Sequence, residues 1–478
     1  VARFSEYGDF DALGLAELIR TKQVSPEEVL GEAIARTQDI NPRINAVVLP
    51  LFEYAYDQLR TRPPASQAPF AGVPFLLKDL HLMLEGTPTS NGSRLYKDYV
   101  ADHNSTLAQR YVDAGFSIFG KTNSPEFGMT VTTEPQLYGP SRNPWNLDHS
   151  TGGSSGGAGA AVAAGLVPAA HASDGGGSIR IPAAACGLVG LKPTRARTPS
   201  GPDKGEGWAG CTCQHVVSRT VRDSAAILDA THGAEPGDPY AAPPVSESFL
   251  SACQSDPKPL RIAFSTKSPI DTPVDPDCVR AVQIAAQICA DLGHEVEEAP
   301  SPLDGYALAV TLGNIVAANI AALFDAYTAA FGRDVQQGEV ELVTWRTLQN
   351  GRKLGAKDYI HAVDTMHAAG RQSARFHQSY DVFIEPTLGK PPVPIGTIDT
   401  MADDTSAYTQ ALLEASPFTA RYNLTGQPAL SLPLHWTQTG LPVGVMFSAA
   451  FGDDVVLLQL ATQIERAHPW ADRRPAVA

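Results

Sequence analysis

The sequence predicts an α/β core carrying a helical insertion. Three observations support it: helical and strand-like segments alternate from end to end, short apolar runs stop at glycine or charge as buried strands do, and residues 304–380 keep a helical period with few strand signals. At 478 residues the chain can bury a sizeable core without disulfide or metal staples. No repeat period is apparent.

Residues 11–60 read as helical. Leu15, Leu18 and Ile19 form an apolar stripe, Ser25-Pro26-Glu27-Glu28 is a capping box with proline at the first helical position, and Val29, Leu30, Ala33 and Ile34 continue that second helix. The run 73–77, between Gly72 and Lys78, suits a buried strand ending at a charge. Ser105 can cap a helix that stops at Gly115, and residues 116–119 start the next strand. Residues 233–259, rich in Pro, Ser and Asp, read as a surface connection. Residues 275–296 carry another helix–strand unit, broken at Leu292-Gly293. Strands follow at 382–384, 430–432 and 443–445, before a final amphipathic helix over Asp454–Ala467.

Composition excludes several classes of function. Lys and Arg total 36 against 51 Asp and Glu, a net charge of −15 that repels nucleic-acid phosphates and anionic lipid. The six cysteines are scattered, and Cys211 and Cys213 form a lone C-x-C, so neither a disulfide framework nor a structural metal is expected. Twelve histidines lack any H-E-x-x-H spacing. Residues 1–7 contain acids and no apolar leader core, and no stretch is expected to reach the ~18 apolar residues that cross a bilayer. A reducing cytoplasm is the expected address.

The chemistry concentrates in residues 150–180, where two Gly/Ser clusters flank a small-residue helix and a strand read over 166–172. Glycine at this density suits backbone that takes positive φ or approaches a ligand closely, and a flexible linker would not run straight into Ile179-Arg180-Ile181-Pro182. The first cluster fails as a phosphate loop, because Gly157 is followed by Ala158 rather than lysine. It fails as a dinucleotide fingerprint, because Asn143-Pro144-Trp145-Asn146 is no apolar strand. Gly152, Ser154 and Gly156 meet G-x-S-x-G without the strand before it or partners after it, and Ser255 with Lys258 meets S-x-x-K without its companion motifs. The second cluster, Asp174-Gly175-Gly176-Gly177-Ser178, lies between the strand and a helix-like stretch at 183–187. Several N–H groups can converge there beside the Ser178 hydroxyl, as in an oxyanion hole. A serine needs a base, and His171 sits on the strand where alternate side chains face the core, so the base comes from elsewhere.

Gly72-Val73-Pro74 with Lys78-Asp79, Gly120-Lys121-Thr122-Asn123 with Glu126-Phe127, Gly152-Gly153-Ser154-Ser155-Gly156-Gly157, Asp174 with Gly176-Gly177-Ser178-Ile179-Arg180, and Gly187 with Gly190-Leu191-Lys192-Pro193-Thr194 resemble the amidase signature family in order and spacing. The resemblance spans most of the chain. It implies one large α/β domain over 1–478, with a central mixed twisted sheet flanked by helices, a core at about 60–235 and 380–478, and the helical insertion at about 304–380. It further implies an amidohydrolase with Ser178 as nucleophile and acyl carrier, Ser154 on a cis peptide as proton bridge and Lys78 as general base. The N–H groups of Gly175, Gly176, Gly177 and Ser178 would form the oxyanion hole, with no cofactor and no metal. Lysine at its ordinary pKa of ~10.4 is a poor base at neutral pH, and burial at a strand end lowers that value. For a lone lysine at this position the alternative is an ion pair with Asp79. The departure is Gly175, where many relatives carry Ile, Thr or another side chain; a looser oxyanion loop and a changed pocket are expected.

Within the family, Arg142-Asn143-Pro144-Trp145-Asn146, residues 422–428 and Pro442-Val443-Gly444-Val445 look most like bacterial stand-alone amidases, a branch that includes a hydrolase of the 6-aminohexanoate cyclic dimer and aryl and aliphatic acylamidases. The implied substrate is a small-molecule amide, linear or cyclic, or a carbamate, with residues 304–380 lining its pocket. Neither nucleic acid nor membrane is an expected partner, and a homodimer is the candidate assembly. The membrane-bound fatty-acid-amide branch fits less well, for want of an N-terminal spanning helix. The alternative is the glutaminase-type subunit of a tRNA-dependent amidotransferase, which would copurify with partner subunits. A non-enzymatic descendant would have lost a triad member, and Lys78, Ser154 and Ser178 are all present.

Overall fold

Two sheets and a hairpin organise the computed structural model, which describes residues 4–477. The strands are β1 (Val47–Pro50), β2 (Pro74–Lys78), β3 (Ser117–Thr122), β4 (Arg142–Asn143), β5 (Asn146–Ser150), β6 (Ala169–Asp174), β7 (Val189–Lys192), β8 (Cys213–Ser218), β9 (Arg261–Phe264), β10 (Glu295–Glu298), β11 (Val382–Pro386), β12 (Ala429–Trp436) and β13 (Pro442–Ala449). Eight of them form one mixed sheet in the order β10-β9-β11-β13-β12-β7-β8-β6. Its first three strands are parallel and the remaining pairings antiparallel. This is the expected α/β domain. A second, three-stranded sheet, β1-β3-β2, was not anticipated; β2 packs beside β6 at the edge of the large sheet, which brings the ends of these two strands together.

Side-chain alternation explains how the large sheet is covered. In β13, Val443, Val445 and Phe447 join one apolar cluster with helices Val221–Thr231, Pro276–Asp291 and Asp454–Ala467, while Met446 packs with Phe418 and Tyr422 in another. Burial of each such apolar side chain contributes about 1.5–3 kcal/mol. Helix Gly156–Ala163 is buried along its whole length. Its residues are all Gly, Ala or Val, so neighbouring backbone can approach on every side.

Several boundaries differ from the sequence reading. The capping box forms, with Glu28 N–H donating to Ser25 Oγ at 3.2 Å and Ser25 N–H to the Glu28 carboxylate at 2.7 Å. However, β1 interrupts the segment read as helical, because its short apolar run finds a pairing partner in β3. Ser105 does sit before helix Thr106–Asp113, yet its hydroxyl accepts from Met83 N–H instead of capping. The strand read over 166–172 begins at Ala169, past Gly165 at φ +69° and Pro168. The helix read from 183 starts at Arg180 and ends at Gly187, φ +73°. Residues 304–380 form helices Gly305–Phe331, Leu342–Gly351 and Ala356–Phe376. The first overturns one expectation: an 18-residue window in it has mean hydropathy 1.9, long and apolar enough by composition to cross a bilayer. Here it packs against the other two helices. The reading of residues 1–7 rests partly on 1–3, which lie outside the described residues.

Candidate active site

Lys78 ends β2 fully buried, and its Nζ donates to Ser154 Oγ at 2.7 Å and to Ser173 Oγ at 3.0 Å. Burial pushes its pKa down to about 7, against the opposing pull of Asp174. Asp79 is no ion-pair partner for it, since the Asp79 carboxylate accepts the N–H and hydroxyl of Ser90. Behind the strand, Lys78 N–H donates to His171 Nδ1 at 3.2 Å, which leaves Nε2 as the donor to Gln214 Oε1 at 3.1 Å. Burial, and then the Lys78 charge, lower the pKa of His171 to about 3, so the imidazole stays neutral. The Gly153–Ser154 peptide is cis.

The loop that carries Ser178 leaves β6 at Asp174 and enters helix Arg180–Cys186. Asp174 holds that turn: its carboxylate accepts the N–H of Gly177 at 2.7 Å and of Ile179 at 3.2 Å. Arg180 grips the same carboxylate through Nε and Nη2, each at 2.9 Å, and Asn423 Nδ2 donates to it at 2.8 Å. Burial alone would raise this carboxyl. The Arg180 charge and hydrogen bonds outweigh it and hold the pKa at about 2.

Within the expected donor set, Gly177 is the residue whose N–H already has an acceptor. With the Gly177 N–H engaged by Asp174, the N–H groups of Gly175, Gly176 and Ser178 are the ones left without a protein acceptor among the described residues. Gly177 instead serves the turn: at φ +136° a Cβ there would stand 2.2 Å from Thr419 Oγ1. The expectation of a looser loop at Gly175 is also revised, because the Trp208 ring fills the space a side chain would take.

A cavity of about 440 Å³ opens over these groups. Ser154, Ser173, Gly175, Gly176 and Ser178 border it, so the two predicted serines share one chamber. No hydrogen bond joins the Ser178 hydroxyl to Ser154 among the described residues. Much of the remaining lining is apolar, with Leu308, Leu312, Val316 and Ile320 from the long helix and Leu412 and Leu413 from helix Thr405–Ala415, beside the polar Asn319 and Tyr408. Such a chamber fits a small, largely apolar molecule with one polar group at the serines. Among the described residues no group of three His, Cys, Asp or Glu side chains is placed to hold a metal.

Sequence reasoning missed Ser173, Asn423 and Trp208. Ser173 stood two residues after His171 on the same strand face, a signal within reach. Asn423 is 249 residues from Asp174, and no local pattern marks that meeting.

The chain resembles known proteins along nearly its whole length. The family described as Amidase matches residues 28–458. The chain is 40% identical to 6-aminohexanoate-cyclic-dimer hydrolase of Paenarthrobacter ureafaciens over 97% of this chain and 96% of that protein. A solved structure of 6-aminohexanoate cyclic dimer hydrolase complexed with substrate superposes with TM-score 0.92 at 38% identity, covering 98% and 99% of the two chains. A bacterial aryl acylamidase of the amidase signature enzymes superposes with TM-score 0.88 at 27% identity, covering 97% of each.

Proposed function

The chain belongs to the amidase signature family, hydrolases of non-peptide C–N bonds, and on that premise we propose that it cleaves a small carboxamide through an acyl-enzyme on Ser178. The observation that carries the reading is Lys78 Nζ at 2.7 Å from Ser154 Oγ, with its pKa brought down to about 7 by burial. In its neutral form Lys78 accepts the Ser154 proton as Ser154 accepts that of Ser178. Ser178 Oγ then bonds to the carbonyl carbon, and the oxyanion faces the N–H groups of Gly175, Gly176 and Ser178. Collapse breaks the C–N bond, the amine leaves with the relayed proton, and water releases the acid by the reverse relay.

The apolar wall supports amides with methylene or aryl substituents, and the cyclic-dimer hydrolase and aryl acylamidase relatives support cyclic amides and anilides as the first substrates to test. Helices in 304–380 act in this reading as the insertion that shapes the substrate pocket, beside a core at about 60–235 and 380–478. Six free, buried cysteines support a reducing compartment. The amidotransferase-subunit reading is less favoured, since the cyclic-dimer hydrolases match this chain at higher identity and TM-score. The test is a panel of cyclic amides, anilides, esters and carbamates, with mass spectrometry of products and of intact protein. A mass increment on Ser178 equal to the acyl group less one hydrogen is expected; hydrolysis without any adduct in a pre-steady-state quench, or undiminished in Ser178→Ala, overturns the mechanism.

A further inference from the structure

Gly175 and Trp208 meet on the cavity wall beside the Ser178 loop, and their sizes are interdependent. A Cβ on Gly175 would stand 2.7 Å from Trp208 Cζ3 and 2.8 Å from Cε3, both ring atoms that can retreat only if the whole indole turns. The indole is half-buried and packs, like Leu312, against a buried cluster that contains Leu308, Met366 and Leu424. Its backbone is held as well: Trp208 and Ala209 both have positive φ, +52° and +54°. Cys211 N–H donates to Trp208 O at 3.1 Å, Thr212 N–H to Gly207 O at 3.2 Å, and Arg195 Nε to Gly210 O at 2.7 Å.

We propose that Gly175 and Trp208 form a size-matched specificity pair, in which the missing side chain lets a fixed indole narrow the cleft beside the scissile carbonyl. The pair admits amides whose acyl carbon is unbranched or flat and rejects α-branched acyl groups. This rests on the amidase reading, with Ser178 and its neighbouring N–H groups as the reacting centre. An unbranched methylene chain or an aryl ring lies along an indole face with little loss of contact, whereas a branch at the α-carbon meets the ring edge. Loop and indole are set by one another, so neither residue acts alone.

The experiment compares kcat/KM for a hexanoyl anilide and its 2,2-dimethyl analogue in wild type, Gly175→Ala, Trp208→Phe, Trp208→Ala and the Gly175→Ala/Trp208→Ala double variant, with melting temperatures as a folding control. Gly175→Ala keeps its N–H, so the candidate donor set is unchanged. The preference for the unbranched acyl group is expected to fall at least about tenfold in Trp208→Ala and less in Trp208→Phe. Gly175→Ala is expected to lose about tenfold on the unbranched substrate with Trp208 present and little with it absent. In a crystal structure of Gly175→Ala either the indole or the loop that carries Ser178 is expected to be displaced from its wild-type position. An unchanged preference in folded Trp208→Ala or Trp208→Phe, equal losses from Gly175→Ala in both backgrounds, or a loop and indole that both keep their wild-type positions overturns the pair. A wild type inert to every amide overturns the amidase reading and this inference with it; an active wild type without the preference overturns this inference alone.

Discussion

Arg180 meets Asp174 through two parallel hydrogen bonds, Nε to Oδ2 and Nη2 to Oδ1, both 2.9 Å and both groups fully buried. Asp174 ends β6 and Arg180 starts the following helix, so the pair closes the loop that carries Ser178. Arg180 Nη1 also donates to Thr419 O at 2.9 Å and Nη2 to Asn423 Oδ1 at 2.7 Å. The loop is thereby fixed to a segment far along the chain, and the orientation of the Ser178 hydroxyl depends on contacts made outside the motif.

Breaking that pair tests its structural weight. Arg180→Met leaves Asp174 buried without its cation and is expected to lower stability by about 3–5 kcal/mol. Without Arg180, burial raises the Asp174 pKa above its unfolded value, so the native state of the variant gains protons as pH falls. The deficit should narrow on the acid side. Urea melts of both proteins at pH 8 and pH 5 check this, and a wider gap at pH 5 contradicts it.

For the relay, Ser178→Ala is expected to abolish turnover, while Ser154→Ala and Lys78→Ala each lose on the order of 10²–10⁴-fold, as loss of a proton-transfer partner does. Steady-state rates on one activated anilide decide it. A Ser178→Ala protein close to wild-type activity would remove the assignment.

The rate should rise with pH through about 7, because Lys78 must be neutral to accept a proton and burial places its pKa there. Asp174 raises that value and His171, with its pKa near 3, is neutral throughout. His171→Ala and His215→Ala, if folded, should therefore keep the acidic limb of kcat/KM, and Lys78→Ala should lose or flatten it. The reverse pattern would refute lysine as the base.

Function at Lys78 is expected to cost stability. Its folded pKa of about 7 lies below lysine's ordinary value of 10.5, so between these values the unfolded chain binds more protons and wild-type stability climbs with pH. Lys78→Met, apolar and close in size, should be inactive yet more stable. Its advantage should be full below pH 7 and shrink toward pH 10.5. Denaturant melts at pH 6 and pH 9 measure the difference; an advantage that grows with pH contradicts it.

The sequence by itself determined those features that depend on neighbours a few residues apart. The capping box at Ser25 and Glu28, the strand that ends at Lys78 and the helix Asp454–Ala467 follow from period and cap chemistry, which act locally. The glycine and serine motifs identified the family and named Lys78, Ser154 and Ser178. Tertiary structure alone decided the rest. Only folding sets β2 beside β6, so that the lysine of one sheet reaches a serine that follows the hairpin β4–β5. Only folding brings Asn423 to Asp174, pairs the Gly177 N–H with the Asp174 carboxylate, and sets the Trp208 ring where Gly175 has no side chain. These are hydrogen bonds and contacts between residues tens to hundreds of positions apart or held in an uncommon turn. Their energies depend on distances that periodicity and composition do not encode.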